Sequence, residues 1–182
     1  MTNSKRAFER AMRLAVVSGL RATYAVALVQ AAHNKPNRKE WALAAMGELV
    51  VDKIPGIPSR ASLVGMLPRA AAGAYVAKEV MDKEGVEDQW AAPMGAVVAA
   101  GVAALAPRIR GVLSVFMPSA LVGLAEDYLA LKVGGEALGM TMQDVQHLGQ
   151  ESIQQVQGYV ESFASDQSNG ARKPQSVGAG SM

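Results

Sequence analysis

Apolar and polar positions fall in long blocks along this chain, not in residue-by-residue alternation. Five apolar segments stand out: about 11–33, with Arg21 inside; 41–51, "WALAAMGELVV"; 61–81, with Pro68-Arg69 near its middle; 91–107, with no charge; and 111–131, with Pro118 inside and Glu126-Asp127 late. They lack period-two patterning and are built mainly from Ala, Leu, Met and Gly, which predicts helices. Polar links punctuate them. "NKPNRKE" (34–40), "KIPGIPS" (53–59) and "DKEGVEDQ" (82–89) separate successive segments, and Ser59 is placed to cap the third.

After Gly139 the pattern changes. In 141–164, Val145, Leu148, Ile153, Val156, Val160 and Phe163 recur mostly at three- and four-residue spacing, as on an amphipathic helix. Thr141 and Asp144 are spaced as a capping pair. The polar face is Gln-rich and acidic, without Lys or Arg, so it suits docking on protein better than on anionic lipid. Residues from Ser165 onward have little to bury and are expected to be disordered. The predicted organisation is a helix-bundle domain at 1–139, an amphipathic helix at 140–164 and a tail at 165–182.

No segment is a charge-free run of 18 residues or more, the usual mark of a spanning helix. Hydropathy alone therefore admits both a polytopic membrane protein with broken helices and an Ala-rich soluble bundle. Composition shifts the balance little by little. Half of the 182 residues are hydrophobic, yet only 5% are aromatic, and there are 18 glycines. Small residues in such numbers let helices approach closely. Charged residues make up 19%, below the roughly 25% of an ordinary soluble domain. The basic lead "MTNSKRAFERAMR" is followed by an apolar run that Arg21 interrupts, so residues 14–33 are read as mature protein and not as a cleaved signal.

Several functions are disfavoured. A net charge of +2 gives no basic field for nucleic acid. The absence of cysteine excludes disulfides, thiolate nucleophiles and Cys-based metal sites. No dinucleotide, P-loop, nucleophile-elbow or zinc-protease motif occurs, and His33 and His147 stand far apart. No catalytic residue, metal or cofactor is assigned.

The chemistry lies in charges inside apolar segments: Arg21, Glu48, Asp52, Arg69, Glu126 and Asp127. One such charge at mid-bilayer costs about 2.5–3.5 kcal/mol, so it must face a partner or water. "ALAAMGELV" (42–50) aligns with "ALVGLAEDY" (120–128), placing Glu48 against Glu126. Duplicated transporter folds bind where their halves meet. Three readings follow: an ion or proton pathway using Glu48, Asp52, Glu126 and Asp127; structural pairing of Arg21, Arg69 and Lys53 with these carboxylates; or simple placement of Asp52, Lys53 and Asp127 at the water interface.

"SGLRATYAVALV" (18–29), "GELVVDKIP" (47–55), "LPRAAAGA" (67–74) and "LAEDYLAL" (124–131) occur in this order. Together they resemble the bacterial membrane-protein family catalogued as domain of unknown function 4126. The corresponding positions are Gly19-Leu20-Arg21, then Glu48, Asp52, Lys53 and Pro55, then Arg69, then Glu126-Asp127. The resemblance spans about residues 14–133 and implies a multi-pass protein of the bacterial inner membrane with no known activity. The expected fold is all-α: a polytopic membrane helix bundle with short or kinked helices, a C-terminal amphipathic helix and a disordered tail. The expected partners are the lipid bilayer and, through 141–164, a second copy or another protein. The expected function is a small ion- or proton-coupled transporter or channel, with a non-catalytic membrane scaffold or accessory subunit as the alternative.

Overall fold

The computed structural model describes residues 3–51 and 62–170. All of its regular structure is helical: α1 (Asn3–Leu20), α2 (Ala22–Ala32), α3 (Arg38–Val51), α4 (Leu63–Lys83), α5 (Ala91–Leu113), α6 (Ser119–Ala137) and α7 (Met142–Gly170). Asp52, Lys53, Pro55 and Ser59, to which the sequence gave roles, lie outside the described residues, as does the chain beyond Gly170. The cap of α4 is Ser62, whose hydroxyl accepts from Gly65 N at 3.2 Å.

The chain turns back between α2 and α3, between α4 and α5, and between α6 and α7. These three reversals have a local cause. Asn34, Gly85 and Gly139 have positive φ just past the ends of α2, α4 and α6. The next N–H in each case bonds back to the last turn: Lys35 to Gln30, Val86 to Met81 and Met140 to Gly135, at 2.9–3.0 Å. This is the glycine- or asparagine-closed helix end. The α5–α6 reversal uses Pro118 as its outgoing residue.

The α1–α2 reversal has no such signal, and it corrects the expectation of one helix through 11–33. Arg10 pairs with Glu84 at 2.7 Å, while Gln30 and His33 reach Tyr75 and Glu79. Both limbs thus return to the C-terminal half of α4, and the chain folds back at Arg21. Arg21 alone leaves the helix, with φ −142 and ψ 106.

Two further boundaries differ from the hydropathy blocks. The fourth segment does not stop at Pro107, because α5 continues through it to Leu113. The fifth is not one helix, because residues 114–118 form a turn and α6 begins at Ser119. A proline lacks only its own N–H and restricts its predecessor. Its effect therefore depends on the surrounding backbone, which the apolar pattern does not report.

Small residues set the packing of α1, α4 and α5. A Cβ on Gly73 would lie 2.4 Å from the Gly95 carbonyl oxygen, and one on Gly95 2.4 Å from that of Gly73. The core joins α1, α2 and α4 through Leu14, Val17, Tyr24, Val29, Val76, Val80 and Met81. The outer faces of α4, α5 and α6 are different. Leu63, Val64, Leu67, Val97, Ile109, Val112, Val115, Phe116, Leu121 and Leu124 are exposed. Among the described residues, α5 is the one helix long and apolar enough to cross a membrane, with a mean hydropathy of 1.6 and only 11% of its most apolar window buried.

Candidate functional site

The break at Arg21 opens the first turn of α2, whose N–H groups have no partners within the helix. Glu48, near the end of α3, supplies them. Its Oε1 accepts from Ala22 N at 3.2 Å, and its Oε2 accepts from Thr23 N at 3.0 Å and from the Thr23 hydroxyl. A carboxylate also suits the positive end of the α2 dipole. Arg69 of α4 closes the other side, donating from Nη2 to Glu48 at 3.2 Å and from Nη1 to the Gly65 carbonyl at 2.8 Å. The Arg69 and Glu48 side chains are 8% and 13% exposed.

Arg21 turns the opposite way. Its Nε donates to Asp127 of α6 at 2.8 Å, and its guanidinium stands 5.9 Å from the Tyr24 ring centre. Beside Asp127, Glu126 lies 3.6 Å from Arg110 Nη2 of α5. Gly123 makes room for that arginine: a Cβ there would sit 2.3 Å from Nη2. Five elements thus deliver Arg21, Glu48, Arg69, Arg110, Glu126 and Asp127 to one level of the bundle.

Each of the five described charges expected in pairs has a partner here, though the pairing differs in detail. Glu48 takes Arg69. Arg21 takes Asp127, and Glu126 takes Arg110, which the sequence did not single out. Thr23 and the backbone at Ala22 were missed as well: Ser18-Gly19 stands just before the break, but nothing local marks where the acceptor for the freed N–H groups comes from. The aligned glutamates occupy related surroundings, each facing an arginine, but Glu48 alone also caps a helix.

A second, more exposed cluster lies at the other end of α2. Glu79 accepts from Lys35 Nζ at 2.8 Å and faces His33 Nδ1 at 3.2 Å. The hydrogen bond and charge of Glu79 raise the Lys35 pKa above the ordinary lysine range. At the start of α7, Thr141 N donates to Asp144 at 2.7 Å and Asp144 N donates to the Thr141 hydroxyl at 3.2 Å, which is the reciprocal cap expected from the sequence. These bonds hold the Asp144 carboxyl below the usual carboxylate range.

Next to the Glu48 cap lies a cleft of about 360 Å³, with Ala22, Thr23 and Val26 of α2 as its floor and Trp41 of α3 facing Pro68, Ala71, Ala72 and Tyr75 of α4. No group of three or more His, Cys, Asp or Glu side chains able to hold a metal occurs among the described residues. No protein-family model, curated protein or solved structure matches the chain.

Proposed function

We propose that this is a multi-pass membrane bundle acting as a non-catalytic scaffold or accessory subunit, braced internally by its charged layer. The observation that carries the membrane reading is the apolar outer face of α4, α5 and α6, above all α5, which is spanning-length and buries only its Gly95–Ala99–Ala103 face. Exposed apolar patches of this extent mark interaction with membrane or protein. Depth fits as well. The 11 residues of α2 cover about 16 Å, roughly half of a 30 Å hydrocarbon core. With His33 and Lys35 at the water interface, the Arg21–Glu48 level falls near the midplane. The ends of α4, α5 and α6 and the turn after α5 carry the exposed Leu63, Val64, Leu67, Val112, Val115 and Phe116.

The brace reading rests on the pairing. Arg21, Arg69 and Arg110 each close on a carboxylate from another helix. Paired in this way, charges can exist in a low-dielectric layer. The scaffold role rests on α7, a 29-residue helix that packs on α3 and α6 through Val145, Leu148 and Gly149. Membership of the family named above is part of the same proposal.

One observation favours a second reading, a small ion- or proton-coupled transporter or channel. Glu48 sits where a half-depth helix starts, beside an open cleft, and transporters place anionic groups at such broken-helix N-termini. Alkaline carbonate washing tests the membrane reading: the protein should stay in the pellet, and its release would overturn it. Liposome flux with Glu48→Gln and Glu126→Gln then separates the two roles. Absence of any wild-type flux, with partner capture lost on deleting 141–182, supports the scaffold. A flux that the substitutions abolish while the fold survives supports transport.

A further inference from the structure

We propose that the cleft between α3 and α4 holds one acyl chain of an anionic phospholipid drawn from the surrounding bilayer. The inference rests on the membrane reading above and is independent of whether the protein transports anything. Both α3 and α4 pack on α2, and the cleft is the gap left between them over Ala22, Thr23 and Val26. Its volume falls at the lower end of the range for ligand sites. Its wall is Ala, Val and Pro along most of its length, with polar atoms only on Thr23, Trp41 and Tyr75. An elongated apolar ligand fits such a lining, and a polar one would leave its groups unpaired.

Position selects the acyl chain among apolar ligands. The inner end of the cleft is at Thr23, beside the Glu48 cap. The outer end is at Trp41 and Tyr75, residue types that collect at the headgroup level of a bilayer. Tyr75 is anchored there, its hydroxyl accepting from Gln30 Nε2 at 2.8 Å. The cleft therefore runs about 10 Å inward from the headgroup level, within one leaflet and along the outer part of one chain.

Charge at the outer end selects the headgroup. Lys35 reaches Glu79, one turn beyond Tyr75, with 42% of its side chain exposed. A phosphodiester at this level would meet the Lys35 ammonium, whose three N–H donors Glu79 does not exhaust. Basic residues at the membrane surface attract anionic lipids in this way.

Trp41 is a built-in reporter. The chain has two tryptophans, so Trp90→Phe leaves Trp41 alone. The full-length variant in detergent is titrated with phosphatidylglycerol brominated on its acyl chains, which quenches tryptophan on contact. The expected result is quenching that saturates near an equimolar ratio and is reversed by excess unbrominated phosphatidylglycerol. Phosphatidylcholine of the same chains should bind more weakly. Ala71→Phe fills the cleft and should remove the saturable quenching together with the lipid retained in native mass spectrometry. Quenching that rises linearly with lipid and is not reversed by competitor overturns the proposal, and this arm needs no cleft variant to fold. Trp41 silent to lipid in an oligomer that Ala71→Phe dissociates also overturns it, in favour of a second copy in the cleft. Retention in the carbonate pellet combined with unsaturable quenching sinks the lipid site and leaves the membrane reading standing.

Discussion

Arg21–Asp127 and Arg10–Glu84 are the same chemistry at nearly the same distance, 2.8 and 2.7 Å. Their surroundings differ. In the first pair the side chains are 5% and 18% exposed, and in the second 50% and 29%. Geometry alone would rank the two pairs as equals. Solvation does not, because a charge near water keeps its hydration when its partner is lost and a buried one cannot. The inner layer is therefore costly to damage, and the pairs at the base of the bundle are nearly dispensable.

Breaking one partner of the inner layer gives the largest expected effect. Arg21→Ala leaves Asp127 buried without its guanidinium and should cost about 3–5 kcal/mol, measured by thermal or denaturant unfolding in detergent. Replacing both Arg21 and Asp127 by apolar residues of similar size should recover much of that loss. If the double variant is as unstable as the single one, the layer is more than a charge balance.

Next comes the helix contact that holds the layer's frame. Gly73→Ala drives a Cβ toward the Gly95 carbonyl oxygen, where only backbone can yield. The expected loss is about 1–3 kcal/mol. Gly101→Ala, which meets nothing within 4 Å, is the control and should lose no stability, gaining up to about 1 kcal/mol in the same unfolding assay.

At the base, Arg10→Ala should cost about 0–1 kcal/mol and lose even that at high salt. A loss as large as that of Arg21→Ala would remove the contrast between the two regions.

The smallest effect concerns α7. The Asp144 carboxyl is held below its ordinary range by bonds from Thr141. Its contribution is thus present above the ordinary aspartate pKa and lost as pH falls through the lowered value. Helical signal from α7 should decline in acid in the wild type, whereas Asp144→Ala should be flat over the same pH window and slightly less helical at neutral pH.

The legible parts of this molecule are those with a local cause. Ala-, Leu- and Gly-rich blocks without alternation form helices because nothing in them favours a strand. Gly85, Gly139 and Asn34 end helices because each accepts positive φ. Thr141 and Asp144 cap α7 because their spacing brings hydroxyl and carboxylate onto opposite N–H groups. The candidate charges were also legible, since Arg21, Glu48, Arg69, Glu126 and Asp127 are costly in apolar segments and so advertise a partner. The partners themselves were only partly legible. Arg110 falls between the 91–107 and 111–131 blocks, and only the continuation of α5 past Pro107 brings it to Glu126.

The sequence by itself determined the helical class, the turns after α2, α4 and α6 and most of the charges that must be neutralised, because these depend on groups a few residues apart. Only the tertiary structure decided the fold-back at Arg21 and the choice of Asp127, Arg69 and Arg110 as partners. A helix broken at Arg21 exposes N–H groups that its own neighbours cannot satisfy. Glu48, 26 residues from Ala22, satisfies them, and a local pattern carries no record of an acceptor that distant.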